Sequence, residues 1–590
     1  MLYNKVMKKK ALLLLIPFLL VTACDGGSGS EGNPNIRQVK VYNLLGDYEE
    51  GRKKEDLYLL DTDLLFKGDD TYVPYITFES YFDCFKPLLK AKFKFQYSEK
   101  NGRFSIQTKY STETLLSFVA NYNNEIFTIY EGDISNALNT SQKAERSSLM
   151  IGIGDNYEED YVSQSSGYML PYDGIKDRVV IKDEKYYYPL SVVSYIAGIY
   201  TGFELFYNYE DLFLIDLNTE DTEFGYLNGD KEETPFSRQK SIVVSKELSS
   251  TPQNVAYDRY FLYEYIFKHF CGLRESRGLD VDKIIADAPI SRIADTDKRA
   301  AGAVFKKLSG ALGDLHTAFF NSPWDVEEDV NVYNSQVWTK ISEGSFAYNI
   351  RTLREYDEDT ILYSSNGKAA LVFLDSFANI CYGSKDKPAS EYTLDELASE
   401  DDVFHLRKQL ETVKNKGGVE KVIIDISING GGLVANLLKI LSLIAKDNNP
   451  VEVSLKNTTY DSGITVRGSI DSNLDGELTL DDVYGDDFEI FIMSSAYSFS
   501  CGNAFPFVAK NTGLATIIGN TSGGGECCVY AHYMPSGEAF YYSSPLHIGL
   551  YKKGTFYGAE EGGIVEENRK INPTDAERYN LDHLLNGGII

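Results

Sequence analysis

Apolar and polar residues alternate in different ways along the chain, and each pattern predicts its own kind of element. A period of two, as in residues 93–97 (FKFQY), recurs between residues 38 and 235 and predicts half-buried strands. Apolar positions at helical spacing predict helices over residues 257–270 and 291–309, the second capped by Asp295 or Thr296. The chain is therefore expected to change from strand-rich to helical structure near its middle.

Strands and helices alternate beyond residue 369. The unbroken apolar run at residues 422–426 predicts a strand that is buried on both faces. Further strands are expected at 369–374, 488–493 and 515–518, and helices at 433–444, at 504–510 and from 403 to the pair Gly417-Gly418. Such alternation predicts an α/β layered domain.

Two stretches of the strand-rich region look alike. Each has an acidic turn, a Tyr-x-Pro sequence that ends at Pro74 or Pro189, a short apolar segment and a strand. This weak repeat resembles the small N-terminal module of copper amine oxidases, although no histidine cluster accompanies it; an unrelated α+β accessory domain is the alternative. The expected organisation is a signal peptide (1–23), a flexible tether (24–37), an accessory region with two such modules (38–235), a helical subdomain (236–330) and a C-terminal α/β domain (331–590).

The N-terminus predicts where the protein resides. A basic segment (8–10), an apolar run (11–20) and the sequence Val21-Thr22-Ala23-Cys24 have the layout of a secretory signal. The ending resembles a bacterial lipobox, which implies lipidation of Cys24, and a Gly/Ser-rich tether follows it. We therefore expect a lipid-anchored protein of the cell envelope, outside the cytoplasm. An ordinary signal peptide with a chance cysteine is the alternative.

Composition and charge narrow the function classes. Hydrophobic residues make up 43% of the chain, which is enough for sizeable cores and excludes disorder of the whole chain. The net charge of −29 repels phosphate backbones, so nucleic acid is not an expected partner. In the sequence, no cysteine or carboxylate stands at a metal-ligand spacing from the remaining histidines, which disfavours a zinc hydrolase: His269, His405, His532, His547 and His583.

Three segments carry residue types suited to nucleophilic catalysis. Residues 425–432 (DISINGGG) place three glycines at a strand-to-helix turn, where backbone N–H groups are free to bind an oxyanion. Residues 498–503 (SFSCGN) place a serine at the next such turn, and a second glycine run follows at 523–525. Residues 312–317 (LGDLHT) supply a histidine, the commonest base for a serine nucleophile.

These segments resemble the S41 peptidases, the family of tail-specific and tricorn-like proteases. Residues 425–432 resemble its Asp-Leu-Arg-x-Asn-Gly-Gly-Gly element, residues 498–503 its Ser-Ala-Ser-Ala-Ser-Glu element, and residues 314–317 the Asp-Gly-His-Thr element of tricorn-like members. Residues 567–575, which begin with Glu-Asn, resemble a further sequence element of the family, Glu-Asn-x-Gly-Val-x-Pro-Asp. The resemblance implies a ClpP/crotonase-like α/β catalytic domain with a helical N-terminal subdomain, Ser500 as nucleophile and His316 as general base.

The chain departs from the family in ways that bear on mechanism. Gly525 stands where tail-specific members have their lysine, so a Ser/His mechanism is favoured over a Ser/Lys dyad. Ser427 replaces the family arginine, and Leu315 replaces a serine that relays a glutamate to the histidine. Glu567 is the expected orienting acid, with Glu526 as the alternative. No stretch near 320–370 is long enough for a PDZ domain, so whether a free C-terminus is selected stays open.

The expected function is a serine peptidase that cleaves peptides or proteins outside the cytoplasm. The oxyanion would be held by backbone N–H groups of Gly430, Gly431 and Cys501. A less favoured hypothesis has Cys501 as the nucleophile. Hydrolysis of a non-peptide ester is another alternative for the reaction. The rival class is a non-catalytic peptide- or glycan-binding surface lipoprotein on a degenerate S41 fold.

Two more features concern metals and thiols. Residues 471–482 (DSNLDGELTLDD) fit a calcium loop with ligands Asp471, Asn473, Asp475 and Asp482, the last replacing the usual glutamate. A polar turn between strands is the alternative reading of this loop. No cofactor is expected for catalysis. A disulfide from Cys501 to Cys527 or Cys528 is a hypothesis, with buried free thiols as the alternative.

Overall fold

The structure of the protein is a computed structural model, and it confirms a mixed α/β architecture. It describes residues 35–44, 54–68, 73–85, 87, 93–98, 103–108, 114–121, 126–130, 158–163, 168–171, 179–201, 203–216, 252–273, 278–286, 307–308, 310–319, 335–379, 381, 391–458, 462–535, 539–560, 563, 565–572 and 576–590. The expected signal peptide with Cys24, most of the tether and most of the helix at 291–309 lie outside these residues. None of the described helices is long and apolar enough to cross a membrane.

The described strands of the first part of the chain, apart from β8 (Glu158–Ser163), form two sheets. Its strands are β1 (Asn35–Asn43), β2 (Tyr58–Phe66), β3 (Tyr75–Ile76), β4 (Phe93–Ser98), β5 (Arg103–Thr108), β6 (Thr114–Asn121), β7 (Ile126–Tyr130), β8 (Glu158–Ser163), β9 (Tyr168–Pro171), β10 (Val180–Lys182), β11 (Lys185–Pro189), β12 (Phe203–Tyr207) and β13 (Leu212–Asp216). One sheet has the order β10-β11-β3-β2-β1-β13-β12, and the other the order β4-β5-β6-β7-β9.

The two Tyr-x-Pro stretches of the repeat meet in the first sheet. Strand β3 pairs antiparallel with β11, so that Tyr75 lies opposite Pro189 and Ile76 opposite Tyr188. A helix follows each stretch, α1 (Phe78–Asp83) and α2 (Leu190–Thr201). Both copies therefore contribute to one sheet and one core, and the domain boundaries drawn from the sequence stay a prediction.

The helical segment continues that same core. It consists of α3 (Pro252–Arg259), a π-helix (Tyr260–Phe267) and α4 (Val281–Ala286), so the helix expected at 257–270 begins earlier and is wound as a π-helix over eight residues. Tyr195 of α2 packs edge-on against Phe261, with ring centroids 6.0 Å apart. Tyr195 also lies against His532 in the C-terminal part of the chain. The accessory region is thus packed onto the α/β domain rather than separate from it.

The C-terminal part contains the remaining elements. They are β14 (Ala318–Phe319), α5 (Ser335–Leu353), β15 (Leu362–Tyr363), β16 (Ala369–Phe373), α6 (Leu394–Ala398), α7 (Asp402–Lys416), β17 (Lys421–Asp425), α8 (Val434–Leu443), β18 (Val451–Asn457), β19 (Ser462–Gly468), β20 (Glu489–Ser494), α9 (Cys501–Thr512), β21 (Thr516–Gly519), β22 (Cys527–Tyr533), β23 (Ala539–Lys552), β24 (Thr555–Gly558) and α10 (Leu581–Asn586). Turns of 3₁₀-helix lie at Lys54–Leu57, Leu480–Asp482, Glu567–Arg569 and Ala576–Tyr579.

A five-stranded sheet of order β15-β16-β17-β20-β21 forms the centre of this part. Its last four strands run parallel, and both of its faces are covered, as the apolar run at 422–426 predicted. Val422 and Ile424 enter one core, whereas Ile423 enters the core on the opposite face. Since the carboxyl ends of parallel strands lie at one edge, β17 and β20 carry the glycine loop and the serine turn to the same place.

The C-terminal part contains a second sheet beside this five-stranded sheet, and one strand of the accessory region joins it. It has the order β14-β23-β18-β19-β8, with β22 and β24 both paired to the long strand β23. Strand β8 comes from within residues 38–235, yet it pairs with β19 of the α/β domain. This pairing could not be predicted from the sequence, because strand partners far apart in the chain leave no local pattern.

Candidate active site

Ser500 sits in a strained turn between β20 and α9. Its backbone angles are φ 56° and ψ −125°, in a region that a residue with a side chain rarely adopts. The hydroxyl makes no capping hydrogen bond to the helix that it precedes, and the residue is half-buried. Its N–H donates to the carbonyl of Gly524 at 3.0 Å. The turn therefore presents the hydroxyl outward at a helix N-terminus, as a nucleophile elbow does.

The glycine loop after β17 packs directly against this turn. A Cβ on Gly431, whose φ is +111°, would lie 2.6 Å from the Cβ of Ser500. A Cβ on Gly432 would lie 2.3 Å from the backbone of Phe377. Two of the three glycines are thus required because a side chain would clash with neighbouring atoms. The glycine loop and the Ser500 turn therefore pack tightly against each other.

Two of the three expected oxyanion donors have their N–H groups unused. Among the described residues, no acceptor binds the N–H of Gly430 or of Cys501. The N–H of Gly431 instead donates to the side-chain oxygen of Asn429 at 2.9 Å. The prediction that Gly431 binds the oxyanion is not supported in this arrangement, because Asn429 occupies its donor and stabilises the loop.

His316 lies beside the residue that precedes the serine. Its ring packs edge-on against Phe499, with centroids 4.6 Å apart, and the residue is buried. Its Nδ1 lies 3.3 Å from the hydroxyl of Ser543 in β23. Within the described part of the chain, no hydrogen bond joins Nε2 to a protein group. No hydrogen bond joins His316 to Ser500 either, which is common in enzymes without substrate.

The surroundings of His316 favour its neutral form. Burial lowers the pKa of the imidazole, the carboxylate of Asp314 opposes this shift, and the ammonium of Lys340 lowers the pKa further. Asp314 is itself held in the loop, since it accepts hydrogen bonds from the His316 N–H and the Thr317 hydroxyl. A neutral imidazole is the form that accepts a proton.

The structure does not bring either expected orienting acid to His316. The side chain of Glu567 is 88% exposed and pairs with Lys570 at 2.6 Å. Glu526 is buried, but its carboxylate binds Nδ1 of His547 at 2.6 Å. The hydroxyl of Ser543 lies near Nδ1 instead, and it is brought there by strand pairing across the fold, which leaves no local signal in the sequence.

Lys340 of α5 is a second residue that the sequence did not reveal. Its ammonium lies 5.3 Å from the centre of the Phe499 ring, on which His316 also packs. A positive charge therefore stands at the site even though Gly525 replaces the family lysine. Lys340 is in the region of the chain where no site residue was expected.

An arginine from the C-terminal segment compensates for Ser427. The buried Arg578 donates to the Ser427 hydroxyl at 2.5 Å. Asp425 accepts hydrogen bonds from the Ser427 N–H at 3.0 Å and from the Tyr579 hydroxyl at 3.0 Å. A guanidinium thus contacts the loop from another part of the chain, and it fixes the base of the glycine loop.

None of the described cysteines forms a disulfide, so neither bond expected from Cys501, to Cys527 or to Cys528, is present. Cys501 is buried and donates to the carbonyl of Gly432 at 3.1 Å. Burial raises the pKa of this thiol. A buried thiol with a raised pKa is a poor nucleophile, which favours Ser500 over Cys501.

His547 has ligand-forming neighbours in space that its position in the sequence did not indicate. Glu526, Cys527 and His547 are all buried, and one ligand atom of each lies within 4.8 Å of the others. His532 is a further case, since its Nδ1 binds the buried carboxylate of Glu204. Both groupings arise from tertiary contacts, so spacing in the sequence could not show them.

The loop at 471–482 is closed by hydrogen bonds from its backbone N–H groups to its own side chains. Asp471 accepts a hydrogen bond from the Gly476 N–H at 2.9 Å, and Asn473 accepts one from the Asp475 N–H at 2.9 Å. Asp482 is fully buried and accepts hydrogen bonds from the N–H groups of Ser472, Asn473 and Thr479. The second carboxylate oxygen of Asp471 is buried without a partner. Calcium binding stays a prediction.

The family model of Peptidase family S41 matches residues 393–547. This match confirms the resemblance over a segment that contains the glycine loop and Ser500, whereas His316 lies before it. Among curated proteins, none matches the chain.

Several solved structures of peptidases are similar to the chain at low identity. A putative peptidase from Parabacteroides merdae is 14% identical, covers 54% of this chain and 90% of its own, and has a TM-score of 0.37. Mature CPAF in complex with lactacystin is 12% identical. The match covers 57% of this chain and 98% of the CPAF chain, with a TM-score of 0.38. The photosystem II D1 C-terminal processing protease is 12% identical. The match covers 55% of this chain and 95% of the protease chain, with a TM-score of 0.31. The similarity to peptidase family S41 therefore rests on the family model that matches residues 393–547.

Proposed function

We propose that this chain, whose residues 393–547 match peptidase family S41, is a serine peptidase with Ser500 as nucleophile and His316 as general base. The family match supports peptidase function at the coarse level. The observation that carries the finer proposal is the strained backbone of Ser500, with φ 56°, beside a buried histidine that packs on the preceding residue. Such strain persists only where the surrounding structure holds it, and it is common at active sites.

In the proposed reaction, the Ser500 hydroxyl attacks the carbonyl carbon of a peptide bond. His316 accepts the hydroxyl proton at Nε2 and then donates it to the leaving amine, while the acyl group remains on Ser500. Water then attacks the acyl-enzyme with help from the same imidazole, which releases the second product and regenerates the hydroxyl. Ser543 binds Nδ1 and thereby keeps Nε2 directed to the reaction.

The tetrahedral oxyanion of this reaction needs donors that are not already engaged. The N–H groups of Gly430 and Cys501 meet that condition in the described structure. Cys501 is also the first residue of α9, where helix N-terminal N–H groups lack partners within the helix. Loss of one such donor costs about 10²–10³ in rate, so the fit between the glycine loop and Ser500 matters.

We further propose that the enzyme is lipid-anchored at Cys24 and acts on peptides or proteins in the cell envelope. The signal sequence and the glycine-rich tether support this location. The packing of the accessory region onto the α/β domain, through Tyr195 and His532, supports a role in placing substrate at the site rather than an independent activity.

One observation favours the rival class, a peptide- or glycan-binding protein without catalysis. Nδ1 of His316 contacts the neutral hydroxyl of Ser543 where tricorn-like members use a relayed acid. A hydroxyl stabilises an imidazolium less than a carboxylate does, so the rate of a true enzyme is expected to be modest.

The test is hydrolysis of a mixture of unfolded proteins by the full chain, with new N-termini identified by mass spectrometry. We expect cleavage by the wild type and by Ser399→Ala, a control at an exposed serine, and a loss of at least about 10³-fold in Ser500→Ala. Equal cleavage by Ser500→Ala would remove Ser500 from the mechanism. No cleavage by a folded wild type would support the binding-protein reading.

A further inference from the structure

Three buried residues outside the proposed catalytic pair form a compact cluster on the β22–β23 hairpin. Cys527 and His547 are direct partners in the register of this antiparallel pair, and Glu526 immediately precedes Cys527. The sulfur of Cys527 lies 3.8 Å from both ring nitrogens of His547. The carboxylate of Glu526 lies 2.6 Å from Nδ1. A thiol, an imidazole and a carboxylate thus lie close together inside the protein, with one ligand atom of each within 4.8 Å of the others.

These donors suit one class of metal ion. Thiolate with imidazole selects zinc over calcium or magnesium, which prefer oxygen ligands alone. In a tetrahedral zinc site, with Zn–S about 2.3 Å and Zn–N about 2.1 Å, the sulfur and nitrogen are roughly 3.6 Å apart. The 3.8 Å between Cys527 and His547 is close to that value. The distance from Glu526 to Nδ1 of His547, 2.6 Å, is that of a hydrogen bond and would have to lengthen if both atoms bound one ion.

Neighbouring groups make hydrogen bonds to the side chains of the cluster and hold them in place. The second oxygen of Glu526 accepts a hydrogen bond from the Glu560 N–H at 2.9 Å. Nε2 of His547 lies 3.2 Å from the hydroxyl of Thr458. Such partners fix the orientation of a ligating histidine and carboxylate in metal sites. A Cβ on Gly272 would lie 3.0 Å from the Cys527 sulfur, so the segment that carries Cys271 borders the cluster as well.

We propose that Glu526, Cys527 and His547 bind a zinc ion, with water or the thiol of Cys271 as the fourth ligand. Complete burial of Cys527 leaves no room for a substrate, so the ion has a structural role. It holds the hairpin that contacts both halves of the proposed active site. Gly524, two residues before Glu526, accepts the hydrogen bond from Ser500, and Ser543 in β23 contacts His316.

The experiment measures metal content, which does not depend on hydrolysis. The full chain is stripped with a chelator, loaded with Zn²⁺ and desalted, and the retained zinc is determined by elemental analysis. We expect about one equivalent in the wild type. We expect none in Cys527→Ser or His547→Gln, and full retention in the matched controls Cys528→Ser and His583→Gln. Thr458→Val is expected to bind zinc about 10- to 100-fold more weakly.

Cobalt binding to the wild type provides a second readout, which does not depend on whether any variant folds. Co²⁺ bound to the wild type is expected to give a thiolate-to-metal absorption band, which the calcium loop cannot produce because it has no cysteine. Absence of this band together with absence of retained zinc in the folded wild type overturns the proposal. Equal loss of metal in the control variants overturns it as well.

Discussion

The imidazole of His316 packs edge-on against the ring of Phe499, with 4.6 Å between the centroids. Phe499 directly precedes Ser500 in the turn that enters α9. A buried aromatic ring thus fixes the position of the proposed base relative to the proposed nucleophile, although these two side chains are not hydrogen-bonded to each other. Lys340 contacts the same ring and places a positive charge beside the imidazole.

Replacing Gly431 by alanine is expected to disrupt the site rather than the fold as a whole. The new Cβ would lie 2.6 Å from the Cβ of Ser500, at a φ of +111° that alanine rarely adopts. Displacement of the serine by about 1 Å reduces the rate by about 10²-fold. Gly417→Ala is the matched control, since its φ is +73° and nothing lies within 4 Å of its Cβ. Peptide hydrolysis and thermal unfolding of both variants provide the measurement; equal activities would contradict the close fit described here.

Ser543→Ala is expected to lower kcat without shifting the pH profile. The variant loses the hydroxyl at 3.3 Å from Nδ1 of His316 and keeps the charge of the site unchanged. A neutral hydrogen bond is worth about 0.5–1.5 kcal/mol, so a decrease of about two- to tenfold in kcat is expected. Partial rescue by Ser543→Thr would support a positioning role. A change in KM alone would show that Ser543 acts on substrate binding instead.

Lys340→Met is expected to move the acidic limb of kcat/KM to higher pH. Burial and the Lys340 ammonium both lower the pKa of His316 in the folded protein, so the base stays neutral below the ordinary histidine range. Removal of the ammonium removes one lowering contribution, and protonation then stops the reaction at a higher pH. Lys368→Met, at an exposed lysine paired with Glu420, is the control. A shift to lower pH in Lys340→Met would contradict the assignment of His316 as base.

The segments that carry chemistry could be found from the sequence because each depends on local structure. The apolar strands, the glycine loop at 430–432 and the serine turn before α9 all leave a contiguous pattern. Contacts made by pairing across the fold leave none. Ser543 reaches His316 through the sheet, and the register of the hairpin brings Cys527 to His547.

The same reason explains the expectations that did not hold. Glu567 matched a family segment, yet the 3₁₀ turn that contains it directs the side chain into solvent. Arg578 restores a guanidinium at Ser427 from the C-terminal segment, where no motif marked it. Residues that act through tertiary contacts require the structure.

Calcium is expected to stabilise the protein through the loop at 471–482. The carboxylate of Asp471 has a buried oxygen without a partner, which a cation would satisfy. We expect Tm to rise with added Ca²⁺ in the wild type and not in Asp471→Ala. Asp447→Ala, outside the loop, is the control and should retain the rise. The loop is a simple polar turn if Tm is the same with Ca²⁺ and with a chelator.

The most direct test of the central claim is covalent labelling with a fluorophosphonate, which reacts with activated serines. The full chain, Ser500→Ala, His316→Ala and the control Ser399→Ala are compared after their folding has been checked by thermal unfolding. The account predicts labelling of the wild type and of Ser399→Ala, mapped to Ser500 by mass spectrometry, and none in the other two variants. A folded wild type that is not labelled, or label that persists in Ser500→Ala, would contradict it.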